Sequence, residues 1–139
     1  MESKQKNLIF IVLILVAVLF YTLSGGSVGV SLDFQEDALI LSGADLDWNI
    51  PYAEIQSLEL IQLSDMGNVV DGIEKRTLHC GLWKNEQWNE YTLCINPKLD
   101  RGIVLGMADG EIIVFNYESN QSTEELLTMF TNLLHSKGR

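Results

Sequence analysis

Cys80 and Cys94 carry the most reactive side chains of the sequence, and they lie in two neighbouring predicted strands, symmetric about Gln87. Two thiols so placed can form a disulfide in an oxidising compartment. Strand alternation argues against the bridge. Cys80 shares a face with Leu78 and Leu82, but Cys94 shares one with Thr92 and Glu90, so the two sulfurs would leave opposite faces unless Gly81 supplies a bulge. We expect two free thiols packed as small apolar groups, with a Cys80–Cys94 disulfide as the alternative.

His79 and His135 are the only histidines, and neither has a partner at a recognised metal spacing. His79 adjoins Cys80, but a tetrahedral zinc site needs two further ligands. No G-x-S-x-G elbow is present, and nothing pairs a cysteine with a histidine as nucleophile and base. The sequence therefore predicts no catalytic residue, no metal ligand and no cofactor, and an unrecognised hydrolase is kept only as a distant alternative.

Trp83 and Trp88 flank the loop of a predicted hairpin, whereas Trp48 falls on the inner face of another strand. Indoles exposed at a hairpin tip suit contact with a protein or with a bilayer interface. We therefore predict Trp83 and Trp88 as possible partner contacts and Trp48 as core.

Acidic residues outnumber basic ones by 19 to 9, which gives a formal net charge of -10. Affinity for nucleic acid comes from Lys and Arg that release counterions from phosphates, and no basic stripe exists here. The same Coulomb argument disfavours anionic lipid. An acidic cluster around the first predicted strands has the ligand type that a divalent cation prefers, but it lacks the spacing of an EF-hand loop. Its members are Asp33, Glu36, Asp37, Asp45 and Asp47.

The N-terminus contains an uncharged apolar run, "LIFIVLILVAVLFYTL", from Leu8 to Leu23. Such a run predicts a transmembrane helix, with a cleaved signal peptide and a buried core helix as alternatives. Lys4 and Lys6 place the N-terminus in the cytoplasm and the remainder outside it. The predicted organisation is a cytoplasmic segment 1–7, a transmembrane helix with a short linker 8–27, and an extracytoplasmic domain 28–139.

Apolar residues alternate with polar ones from Val28 onward, which is typical of strands with one buried face. The acids of this region are then the solvated side of an antiparallel sheet. "SGAD" and Asp109-Gly110 predict hairpin turns, "DMGNVVDGIE" reads as a long loop, and "KRTLHCGLW" and "NEYTLCINP" read as two strands. Ser122 and Glu125 have capping-box spacing before an apolar stripe, which predicts one C-terminal helix.

The order of these elements resembles that of the pleckstrin-homology (PH) fold, and in particular of bacterial PH-like domains in membrane-anchored proteins. Three stretches carry the likeness over about Val28 to His135: "ALILSGADLDWNIPYAEIQSLEL", "RTLHCGLW" and "GEIIVFNYESNQSTEELLTMF". The resemblance implies a PH-like antiparallel β barrel or sandwich of about seven strands, closed by a C-terminal capping helix, and a binding or sensing role without catalytic residues.

PH domains that hold phosphoinositides use Lys and Arg around the first hairpin, where this chain has acids instead, so no phosphoinositide is expected. The resulting prediction is a mainly β, non-catalytic, single-pass membrane protein. Its extracytoplasmic domain would contact a protein or peptide partner at the cell envelope, and binding to a lipid surface is the alternative.

Overall fold

A computed structural model of the chain describes residues 6–15 and 29–137, which form a mainly β protein with one helix at each end of the described chain. A short helix, α1, covers residues 6–15. Nine strands follow: β1 Val30–Phe34, β2 Ala38–Gly43, β3 Leu46–Pro51, β4 Ile55–Gln62, β5 Asn68–Glu74, β6 His79–Asn85, β7 Asn89–Ile95, β8 Arg101–Met107 and β9 Ile112–Phe115. A 3-10 turn, Tyr52–Glu54, joins β3 to β4, and α2, Asn120–Ser136, ends the fold.

The strands form two sheets. β1, β2 and β3 make a 3-stranded antiparallel sheet, and the 6-stranded sheet has the order β4-β8-β9-β7-β6-β5. All neighbours in the larger sheet are antiparallel except β7 and β9, which are parallel. The prediction of about seven antiparallel strands is therefore wrong in both the number and the direction of strands.

One strand that the sequence did not predict, β5, has a physical explanation. β5 lies in the segment "DMGNVVDGIE", whose Gly and Asn residues predicted a loop, yet its backbone pairs with β6 across a bulge between Val69 and Asp71. Most β5 side chains are exposed, so no apolar face marks the segment as a strand. Its strand character comes from hydrogen bonding to β6, which hydrophobic periodicity does not report.

The structure corrects the prediction of a membrane-spanning segment. Within residues 6–15 and 29–137, no helix is both long enough and apolar enough to cross a membrane. At 1.5 Å per residue the described residues of α1, 6–15, extend about 15 Å, against about 30 Å for a hydrocarbon core. The predictions of a transmembrane helix, of a single-pass membrane protein and of an extracytoplasmic domain are therefore wrong, and the rest of the predicted segment, 16–27, lies outside the described residues.

One side of α1 contacts the body of the protein instead. Phe10 and Ile14, one turn apart, are partly buried against the main core. The sequence left a buried core helix open as an alternative, but an apolar run by itself does not indicate which protein surface such a helix would pack against.

The main core lies between the two sheets and under α2. It contains Leu39, Leu41 and Ile50 from the small sheet and Leu105 and Phe115 from the large one. A second cluster occupies the opposite face of the large sheet, where Trp83, Tyr91, Leu93, Ile95, Val104 and Val114 are buried. The central strands of the large sheet are therefore covered on both faces.

The C-terminal helix is confirmed. Its N-cap is Ser119, whose hydroxyl oxygen accepts a hydrogen bond from the Ser122 backbone N–H at 3.0 Å. The predicted capping box at Ser122 is therefore one turn too late. Four apolar side chains of α2 are buried against the core, namely Leu126, Phe130, Leu133 and Leu134.

Candidate functional site

A groove of about 220 Å³ lies between β4 and α2. Its lining comes from four consecutive residues at the start of β4 and three residues from the last turns of α2: Ile55, Gln56, Ser57, Leu58, Thr131, Leu134 and His135. We refer to this set as the β4–α2 groove. The start of β4 therefore forms one wall of the groove and the last turns of α2 form the other.

β4 is the end strand of the 6-stranded sheet, with β8 as its neighbour in the sheet. An end strand presents its outer row of N–H and C=O groups to whatever lies beside it. The register of β4 with β8 shifts between Ile55 and Ser57, so Gln56 has no partner residue on β8. Such a bulge re-aims side chains and is common beside binding sites.

The groove combines an apolar floor with polar rims. Ile55 is 1% exposed and Leu134 is 9% exposed, and both belong to the main core. Gln56, Ser57, Thr131 and His135 are exposed around them. The Thr131 hydroxyl donates to the Leu127 carbonyl at 2.8 Å, which fixes its side chain against its own helix. An apolar floor with a few polar groups at its rim is the usual composition of a binding site.

One carboxylate lies beside the groove at the start of β4. Glu54 directly precedes Ile55 and its side chain is exposed, whereas Glu59 is paired with Val104 and lies on the opposite face of the sheet, the face of the second cluster. With a net charge of -10 over the whole chain, the surroundings of the groove attract cations and repel anions.

The two cysteines form a second candidate site. Cys80 on β6 is directly opposite Cys94 on β7, and their sulfur atoms are 2.7 Å apart. Both are free thiols and fully buried. Opposite residues of an antiparallel pair share a face, so the parity argument from the sequence, which sent the two sulfurs to opposite faces, is wrong. Symmetry about Gln87 already implied this register.

Hydrogen bonding to Cys80 is the main reason that the pKa of the Cys94 thiol is raised, and burial and the neighbouring sulfur's charge raise it further. Burial has this effect because a thiolate loses its hydration in an apolar environment. Cys94 is therefore held as the neutral thiol.

Gly43 of β2 leaves the space that the sulfur pair occupies. A Cβ atom placed at Gly43 would lie 2.6 Å from the Cys80 sulfur and 2.7 Å from the Cys94 sulfur. The Cys80 thiol donates a weak S–H hydrogen bond to the Gly43 carbonyl oxygen, with 3.8 Å between sulfur and oxygen. The thiols thus lie where the two sheets meet.

We predict that Gly43→Ala lowers the free energy of unfolding by about 1–3 kcal/mol, as expected for overpacking of a filled core. Gly43 is not among the glycines with positive φ, so the cost is steric rather than conformational. Urea denaturation followed by circular dichroism measures it. In a Cys80→Ala, Cys94→Ala background the same substitution should cost less than half as much, and an equal cost in both backgrounds would show that the sulfurs are not the obstacle.

The predicted pair of exposed indoles is not present. Trp83 is 1% exposed within the second cluster, and its ring stacks on that of His79 with centroids 5.5 Å apart. Trp88 is half-buried and makes an edge contact with Tyr91 at 5.1 Å. Trp83 therefore has no surface to offer a partner, because β6 directs it to the covered face of the sheet, and Trp88 alone keeps part of its ring accessible. Trp48 is half-buried against the main core.

The acidic residues of the first strands do not converge. Within the described residues, no group of three or more His, Cys, Asp or Glu side chains is arranged to hold a metal ion. Asp33 and Asp37 lie near Tyr52, whose hydroxyl donates to the Gln35 carbonyl at 2.7 Å. The pKa of Tyr52 is raised, first by burial and then by these two carboxylates. Two of the five acids, Asp33 and Asp37, thus act on the buried Tyr52 hydroxyl.

The β4–α2 groove was not predicted from the sequence. Two signals were present: the alternation of Leu58 and Leu60 with polar residues, which marks one face of β4, and the placement of Thr131 and His135 beside Leu134 on α2. Nothing in either pattern indicates that the two elements meet, because strand order in a sheet is not encoded by local periodicity.

No protein-family model, no curated protein and no solved structure matches this chain.

Proposed function

We propose that this chain is a non-catalytic binding module that takes an extended, positively charged segment of another protein into the β4–α2 groove. The observation that carries the proposal is an apolar groove of about 220 Å³ that runs directly beside an end strand. The bound segment adds to β4 as a further strand and places a side chain over Ile55 and Leu134.

Strand addition supplies affinity without a deep pocket. In this binding mode, main-chain hydrogen bonds to the end strand hold the segment, and alternate side chains enter the adjoining groove and give specificity. The β4–α2 groove has both parts, since β4 provides the backbone and α2 the opposite wall. A groove of this size suits one aliphatic side chain rather than a large ligand.

Charge decides which segment binds. Glu54 lies beside the groove, and the whole chain has a net charge of -10. A segment with Lys or Arg beside its aliphatic side chains is attracted, and an acidic segment is repelled. The attraction is between exposed groups, so it weakens as salt concentration rises.

The PH-like assignment is part of this proposal. A β body followed by a helix that packs on the core supports it, and the parallel pair of β7 and β9 departs from the antiparallel pattern of that family. The proposed binding mode does not depend on the family, because it needs only the end strand, the helix and their charges.

The test uses two labelled ten-residue peptides, one of alternating Lys and Val and one of alternating Glu and Val, titrated into the protein and followed by fluorescence anisotropy. We expect the Lys–Val peptide to bind at least tenfold more tightly, equivalent to about 1.4 kcal/mol. In a two-dimensional NMR titration, its largest amide shifts should fall on β4 and the last turns of α2.

Two matched variants locate the site. Thr131→Arg places a bulky cation in the groove and should weaken Lys–Val binding about tenfold or more by blocking and by repulsion. Thr128→Arg makes the same change at an exposed position of α2 outside the groove lining and should leave affinity within about twofold. Equal losses in both variants, or shifts confined to another surface, would refute the proposal.

A further inference from the structure

We propose that Cys80 and Cys94 are a redox-modification site, at which hydrogen peroxide converts the two thiols into a cross-strand disulfide. This inference is independent of the β4–α2 groove. It rests on the direct pairing of the two residues in the β6–β7 register and on the 2.7 Å that separates their sulfur atoms.

The geometry needs little adjustment to form the bond. Residues directly opposite in an antiparallel pair have Cβ atoms about 4.5–5.5 Å apart, and a disulfide needs about 3.5–4.5 Å. β6 is held by β5 and β7, and β7 by β6 and β9, so both strands are fixed on each side. The two sulfurs already share the space beneath Gly43 and point to the same face.

The reaction balances with peroxide as the oxidant. One sulfur, as a thiolate, attacks a peroxide oxygen; the O–O bond breaks, a sulfenic acid forms and one water leaves. The second sulfur then attacks the sulfenic sulfur, which forms the S–S bond and releases a second water. The two thiols lose two protons and two electrons in total, and peroxide takes up both and is reduced to two waters.

Burial selects the oxidant. Neither cysteine is exposed to solvent, so bulky reagents reach the sulfurs only after local opening, whereas peroxide is about the size of a water molecule. Because Cys94 is held as a neutral thiol, the first attack on peroxide is slow. Once one sulfur has been oxidised to the sulfenic acid, the other sulfur is already within contact distance of it. The pair therefore favours bridge formation over further oxidation of either sulfur.

The bridge closes a loop that spans the whole β6–β7 hairpin and removes conformations from the unfolded chain. For a loop of roughly this length, the expected rise in Tm is about 10 °C.

The experiment treats the full chain with a small excess of hydrogen peroxide and measures intact mass, free thiols after unfolding, and Tm. We expect a loss of about 2 Da, no alkylatable thiol, a higher Tm and full reversal by dithiothreitol. This measurement uses the unaltered chain, so it does not depend on whether a variant folds.

A Cys94→Ala variant serves as the control and should gain about 16 Da or more at Cys80, with no rise in Tm. Two alkylatable thiols in the wild-type chain under conditions that oxidise this control, or oxygen added to separate sulfurs without a bridge, would overturn the proposal.

Discussion

Trp83→Ala is expected to lower the free energy of unfolding by about 3–5 kcal/mol, the range for removal of a buried Trp or Phe side chain. Trp83 is 1% exposed and lies against Tyr91 and Leu93 in the second cluster, with its ring stacked on His79. The substitution leaves a cavity on a face of the sheet where β6 and its neighbours are fixed by hydrogen bonds and cannot collapse into the space.

Trp88→Ala is the matched control, because it removes the same side chain from the other end of the same hairpin loop. Trp88 is half-buried and contributes an edge contact with Tyr91, so we expect a loss of about 1 kcal/mol. Urea unfolding followed by far-ultraviolet circular dichroism gives both values without relying on tryptophan fluorescence. A loss for Trp83→Ala no larger than that for Trp88→Ala would mean that the packing around Trp83 is not as described.

These two residues also show how far sequence reasoning reaches. The hairpin and its loop follow from two alternating segments around a polar stretch, and the structure has β6 and β7 there. Alternation does not say whether both faces of a strand are covered. β6 lies between β5 and β7 and has buried residues on both faces, Cys80 on one and Trp83 on the other, so Trp83 is enclosed even though its position beside a loop suggested exposure.

The cysteines show a different limit. Their parity was read along each strand separately, whereas the face that a side chain takes depends on the register between strands. The spacing of Cys80 and Cys94 about the hairpin loop fixes that register and puts them opposite each other. The space under Gly43 could not be predicted, because it comes from a third strand in the other sheet.

Strand order accounts for the remaining features that the sequence did not predict. The stripe of α2 predicted a helix packed on the β body, and that contact is present. The pairing of β4 with β8 and of β7 with β9 joins segments far apart in the sequence, and no local pattern specifies it. The β4–α2 groove depends on β4 being at the end of that order, so it became visible only with the fold.

Phe130→Ala is expected to cost about 3–5 kcal/mol in the free energy of unfolding. Phe130 is fully buried, and its ring makes edge contacts with Phe34 at 5.4 Å and with Tyr52 at 6.2 Å. These contacts fix α2 to β1 and to the turn that precedes β4. Edge-to-face pairs contribute about 0.5–1.5 kcal/mol beyond the buried area, which places this substitution toward the upper end of the range.

The same substitution tests whether the groove depends on the position of α2. Thr131 and Leu134 line the groove within about one turn of Phe130, so a loosened helix should weaken Lys–Val binding about tenfold or more under conditions where the variant remains folded. Met129→Ala, at a half-buried neighbour on α2, should cost about 1 kcal/mol and leave binding nearly unchanged. If Phe130→Ala destabilises the fold by the expected amount but binds the peptide as tightly as the unaltered chain, the peptide lies elsewhere, because a site walled by α2 cannot keep its affinity when the side chain that anchors α2 is removed.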